Sequence, residues 1–123
     1  MSFDAEFDVR CGAFFYYRRL SRVRDYVLKM YGQRLALADV SRVADMERTA
    51  FSSFFHRKTG VRFREWLALV RVAKAMELMA ERNLSIHEIS REVGYTNVRT
   101  FQRVFLRVAG QCPIDYKNSV RPC

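Results

Sequence analysis

The side chains best suited to recognition chemistry are Arg99, Gln102 and Arg103. With Leu106 they fall at i, i+3, i+4 and i+7, so a helix ending at Gly110 would present them on one face. An arginine fork matches guanine N7 and O6, and a glutamine amide matches adenine N6 and N7, so such a face suits base-pair edges in a major groove. Fifty positions earlier the same spacing holds Thr49, Ser52, Ser53 and His56, which are shorter groups with less reach. Arg48, His56, Arg57, Thr96, Asn97 and Arg107 flank the two sets and are the candidates for phosphate oxygens, which fix register without reading sequence.

Other chemistries find little material. Cys11, Cys112 and Cys123 are odd in number and lack a C-x-x-C spacing, and His56 and His87 do not stand at ligand spacing from them. Reduced thiols, no metal and no cofactor are therefore expected. No nucleophile–base pair, carboxylate couple or phosphate loop can be assembled, so the chain does not read as an enzyme. The aromatic stretch from Cys11 to Tyr17 is far too short to cross a bilayer, and no signal peptide opens the sequence, which points to a cytoplasmic, nucleoid-associated protein. Twenty-two Lys+Arg against 13 Asp+Glu give a net charge of +9. Residues 1–13 carry Asp4, Glu6 and Asp8 against Arg10, which leaves +11 on the rest, and only Lys29, Lys58, Lys74 and Lys117 of the basic residues are lysines. A strongly basic, arginine-dominated body is the balance expected of a partner for nucleic acid.

These side chains need a scaffold, and half the residues are hydrophobic while five are Gly and two Pro, enough to fill a core. Between Phe14 and Tyr31, Leu20, Val23, Val27, Met30 and Tyr31 recur at three and four, which predicts an amphipathic helix closed by Gly32. Leu37, Val40 and Ala44 mark a short helix. Beyond Asp45 and Met46, a second carries Phe51, Phe54 and Phe55 inward and stops before Gly60. A longer helix runs from about Phe63 to Met79 with Trp66, Leu67, Val70, Met76 and Met79 on one side. Ser85 and Glu88 form a capping-box pattern before Ile86, Ile89 and Val93, Gly94 and Tyr95 make a turn, and Phe101 and Phe105 line the next helix. Pro113 to Val120 reads as a last short helix. No segment alternates with period two, so the fold class is all-α, with about seven helices.

The chain also nearly repeats itself. Phe51, Phe55, Gly60 and Trp66 recur fifty residues on as Phe101, Phe105, Gly110 and Tyr116. Upstream the offset is forty-nine, from Leu37, Val40, Ser41, Arg42 and Ala44 to Ile86, Ile89, Ser90, Arg91 and Val93, so one residue is inserted in the second turn. Each copy reads short helix, turn, aromatic-backed helix, glycine stop, which is the helix-turn-helix plan. The phenylalanine stripes are assigned to packing.

The run IHEISREVGY from Ile86 to Tyr95, continued by Phe101, Arg103, Phe105, Gly110, Pro113 and Tyr116, resembles the signature of the AraC/XylS family of bacterial transcription regulators. The match extends back through Arg71, Ala75 and Met79 to Leu37 and covers about residues 20–121. The resemblance implies two helix-turn-helix modules joined by a long connecting helix, and base reading by Thr49, Ser52 and Ser53 in the first and by Val98, Arg99 and Arg103 in the second. It divides the chain into a weakly ordered leader (1–17), a first module (18–62), the connecting helix (63–80) and a second module (81–123). Many relatives carry an effector or dimerisation domain, for which these residues leave no room. A monomer that binds double-stranded DNA and reads two adjacent major-groove segments follows, with RNA polymerase as a further candidate partner and the connecting helix as a ruler between modules.

Three residues depart from the family pattern. Asp45 stands where the first turn usually has Gly, although Asp tolerates a left-handed backbone. Glu47 replaces the small hydroxyl residue that usually caps the reading helix, and its charge would repel phosphate. Phe63 stands where Pro is usual. A weak first reader keeps a second function class open: a protein-interaction module that binds another regulator or RNA polymerase through the aromatic leader Phe3 to Tyr17.

Overall fold

The computed structural model describes residues 17–121, and all secondary structure among them is helical. The expectations for the leader before Tyr17, and for Cys11 and Cys123, lie outside the described residues. Seven helices follow in order: α1 (Arg18–Met30), α2 (Leu37–Val43), α3 (Arg48–Thr59), α4 (Phe63–Glu81), α5 (Ile86–Glu92), α6 (Val98–Ala109) and α7 (Pro113–Val120). The chain divides into two compact units between Leu67 and Ala68, so α4 gives its first turn to one unit and its remainder to the other.

In the first unit α1 packs on α2 and α2 on α3. Leu20, Val23 and Val27 are fully buried along one side of α1, where the three-and-four spacing put them, and they meet a core that includes Val40, Ala44, Phe51 and Phe55. Phe63 opens α4 and is 6% exposed, within 5.5 Å of Phe55, 5.9 Å of Phe51 and 6.0 Å of Trp66, centroid to centroid. The departure from Pro at this position thus adds a ring to the aromatic core. Gly32 stands at the close of α1 as expected, but without a left-handed backbone. The helix ends at Met30 with Tyr31 still right-handed, and the Gln33 N–H donates to the Met30 carbonyl at 2.9 Å, so a tight right-handed turn satisfies the orphan carbonyl instead.

The second unit repeats the design with smaller groups. Phe101 and Phe105 lie 5.7 Å apart, as Phe51 and Phe55 lie 5.8 Å apart, and Tyr116 stands 5.8 Å from Phe105 as Trp66 stands 5.7 Å from Phe55. Pro113, fifty residues after Phe63, is also the first residue of its helix and also buried. From α4, Val70, Val72, Ala75 and Met79 are buried, whereas Met76, expected inward, is only half-buried. Two long side chains tie down the C-terminal end: Lys117 donates to the Leu84 carbonyl at 2.7 Å and Arg121 to the Ala80 carbonyl at 3.2 Å.

Candidate nucleic-acid interface

Each candidate reading helix follows a turn whose hydrogen bonds match in the two copies. In the first, the Asp45 N–H donates to Arg42 and the Met46 N–H to Ser41; in the second, Gly94 donates to Arg91 and Tyr95 to Ser90, all at 3.0–3.1 Å. The pairs differ by forty-nine and the following residues by fifty, so the inserted residue is Thr96. Asp45 has φ 56° where Gly94 has φ 100°, so Asp does adopt the left-handed conformation and the first turn is kept. Gly60 and Gly110, with φ 82° and 80°, then stop α3 and α6 in the same way.

The helix starts differ in chemistry. Asn97 caps α6: its side-chain oxygen accepts from the Arg99 N–H at 2.8 Å and from the Thr100 N–H at 3.4 Å. Glu47 caps α3, where the Ala50 N–H donates to its Oε2 at 3.0 Å. Although it replaces the usual small hydroxyl residue, Glu47 keeps the capping role, because its longer side chain curls back to reach the same orphan donor. Hydrogen bonds from the Thr49 and Ala50 amides hold its carboxyl below the usual carboxylate value, with a smaller pull from Arg48. Ahead of the readers, Ser85 and Glu88 form the expected capping box on α5, with bonds of 3.1 and 3.0 Å. On α2 only half of one exists, since Ala36 has no side-chain acceptor and Asp39 alone reaches back, at 3.4 Å.

With Phe101 and Phe105 fully buried, α6 turns Arg99, Gln102 and Arg103 to solvent on its other side, and Val98 is half-buried at its start. Leu106, 52% exposed, lies on the same stripe. On α3, Thr49 and Ser53 are exposed and Ser52 is half-buried, opposite Phe51 and Phe55. The structure therefore groups each predicted set on one face of its own helix. Arg48, His56, Arg57, Thr96, Asn97 and Arg107, the phosphate candidates, are all exposed. The Asn97 side-chain oxygen is already engaged as a cap, which leaves its amide NH₂ for any further contact.

Two supporting contacts escape a reading of spacing alone. The guanidinium of Arg71 on α4 lies 5.3 Å from the Tyr95 ring centroid, and that ring is 5.6 Å from Phe101, so Arg71 steadies the turn ahead of α6. Burial pushes the Tyr95 phenol above its ordinary value, and Arg71 opposes the shift, so the ring stays neutral at physiological pH. In the first unit, Tyr17 stands edge-on to Phe54 at 6.2 Å, and the Lys58 ammonium lies 5.0 Å above its ring. Of the cysteines, Cys112 is a free thiol that donates to Asp115 at 3.0 Å. Among the described residues, no three His, Cys, Asp or Glu side chains are grouped to hold a metal, and no helix is long and apolar enough to cross a membrane.

Comparison with known proteins agrees with this geometry. A family model described as a helix-turn-helix domain matches residues 40–119, which span both reading helices. The C-terminal domain of AraT, a response regulator from Geobacillus stearothermophilus, superposes with a TM-score of 0.78 at 29% identity over 84% of this chain and 86% of that one. The DNA-binding domain of AdpA, a global transcriptional factor solved with a target DNA, has the same fold, with a TM-score of 0.76 at 24% identity over 83% and 95% of the two chains. In sequence, the chain is 31% identical to the uncharacterized HTH-type transcriptional regulator YpdC of Escherichia coli over 85% of its own length. The fold and the duplicated turn define a double helix-turn-helix domain, and the chain belongs to the AraC-type helix-turn-helix family. It spans 35–39% of the length of the curated relatives it matches first.

Proposed function

We propose that this chain binds double-stranded DNA sequence-specifically and regulates transcription, reading two adjacent major-groove segments as a monomer. The observation that carries the reading is the α6 stripe. Arg99, Gln102 and Arg103 are exposed together, opposite a buried Phe101–Phe105 pair, on a helix whose start is fixed by a side-chain cap and whose end is fixed by a left-handed glycine. A rigid helix with forked and amide donors on one face is what direct readout of base edges requires. The relatives' descriptions as transcriptional regulators support the role, and the DNA bound by the AdpA domain supports the ligand. Phosphate contacts from Arg48, His56, Arg57, Thr96, Asn97 and Arg107 would set the register. The test is selection of bound duplexes from a random pool. An enriched, asymmetric motif with two separated blocks is expected, and failure to enrich any motif refutes sequence-specific reading.

A further inference from the structure

The first unit carries a basic surface that neither reading helix accounts for. Arg18, Arg19 and Arg22, at the start of α1, are all exposed, and the first turn of that helix contains no acidic residue. Asp25, the one acid of α1, is 3.0 Å from Arg24, and among the described residues no carboxylate lies at ion-pair distance from Arg18, Arg19 or Arg22. The place of this end of α1 is fixed by Tyr17, the residue before it, whose ring meets Phe54 at 6.2 Å and lies under the Lys58 ammonium at 5.0 Å. Phe54 and Lys58 stand on the flank of α3, next to the exposed Arg57. Tyr17 thus brings the start of α1, with its exposed arginines, beside the Phe54–Lys58 flank of α3.

We infer that Arg18, Arg19 and Arg22 form a phosphate anchor for the first module, holding the duplex backbone beside the groove that α3 enters. Charge complementarity selects the occupant: three exposed guanidinium groups with no carboxylate partner among the described residues, beside the Arg57–Lys58 flank of α3, match a polyanion lying along α3. The anchor also accounts for how a module with short reading side chains keeps its place on DNA, since backbone contacts carry affinity while base contacts carry discrimination. It rests on the DNA-binding reading given above.

Binding of the full chain to a selected duplex and to a random-sequence duplex is measured across a salt series, with wild type compared to the Arg18→Ala/Arg19→Ala/Arg22→Ala variant. Each lost phosphate contact removes about 0.9 from the slope of log K against log[salt], so the variant should be shallower by roughly two to three, equally on both duplexes. The corresponding triple Arg→Lys variant should restore the slope, because a phosphate needs charge and not a planar fork. If the Ala variant melts early, single Arg→Gln changes at the three exposed positions serve in its place, each expected to remove about one unit or less. A steep wild-type slope that the variants leave unchanged overturns the anchor and spares the DNA-binding reading; a flat wild-type slope removes both. Loss of affinity on the selected duplex alone, or loss of binding to phosphatidylserine vesicles with an unchanged duplex slope, also overturns it, the latter in favour of a membrane surface.

Discussion

Arg99 and Arg103 differ from Thr49 and Ser53, their counterparts fifty residues earlier, less in placement than in reach. Both pairs stand opposite buried phenylalanines on capped helices, but a threonine or serine hydroxyl sits close to its own backbone while a guanidinium spans the distance to a base edge. Arg99→Ala and Arg103→Ala should each weaken binding by roughly 1–3 kcal/mol and relax preference at particular base pairs. Ser52→Ala and Ser53→Ala should cost much less. Titrations on selected and scrambled duplexes check this, and equal losses in both modules would refute the asymmetry. These stripes were legible from the sequence because the fifty-residue repeat aligned them against phenylalanines whose burial is nearly obligatory. Glu47 was not legible in the same way. Glutamate is an uncommon N-cap, and only the backbone path from Asp45 brings its longer carboxylate onto the Ala50 amide. Phe63 likewise read as the loss of a proline, whereas its ring joins Phe51, Phe55 and Trp66. Phe63→Ala should therefore destabilise the fold by about 3–5 kcal/mol in denaturant unfolding.

At the scale of the elements, helix ends decide how firmly each reader is presented. Asn97 satisfies two amides at the start of α6, and its replacement by Ala should cost about 1 kcal/mol of stability. Glu47 and Glu88 cap with carboxylates that the backbone amides they accept from hold below their ordinary value of 4.5. A carboxyl whose folded value is depressed adds stability in full above its unfolded value and loses it as the pH falls through the folded one. The Glu47→Gln and Glu88→Gln variants should thus melt below wild type at pH 7, and the gap should close on acidification below 4.5 as the wild-type carboxyls protonate. Melting curves at intervals from pH 7 to about 3 read this directly, with a gap that stays constant or widens toward acid counting against the capping role. Element boundaries were largely legible: α4 was expected from Phe63 to about Met79 and runs to Glu81. The end of α1 was legible to within a residue, since Gly32 lies in the turn closed by the Gln33–Met30 bond, although that turn needs no left-handed glycine.

For the whole molecule, charge and duplication set the expectations. The duplicated helix-turn-helix architecture was legible because a repeat constrains many positions at once, whereas contacts such as Arg71 on Tyr95 and Lys58 on Tyr17 depend on how distant segments pack and leave no periodic trace. A net charge of +9, carried mostly by arginine, predicts affinity for duplex DNA that falls steeply with salt. The same duplication bears on assembly. A protein with one reading helix per chain usually dimerises and binds a palindrome, because two-fold symmetry in the protein is mirrored in its site. Here two candidate reading helices with different exposed side chains, Thr49, Ser52 and Ser53 on one and Arg99, Gln102 and Arg103 on the other, already lie in one chain, so on the proposed function symmetry is neither needed nor available within it. The chain should sediment as a monomer at micromolar concentration and protect one asymmetric site whose two halves differ in sequence. A stable dimer on a palindromic footprint would mean that only one reader per chain enters the groove. The Arg99→Ala/Arg103→Ala double variant would identify it: abolition of the whole footprint assigns the reading to α6, and retention of a footprint assigns it to α3.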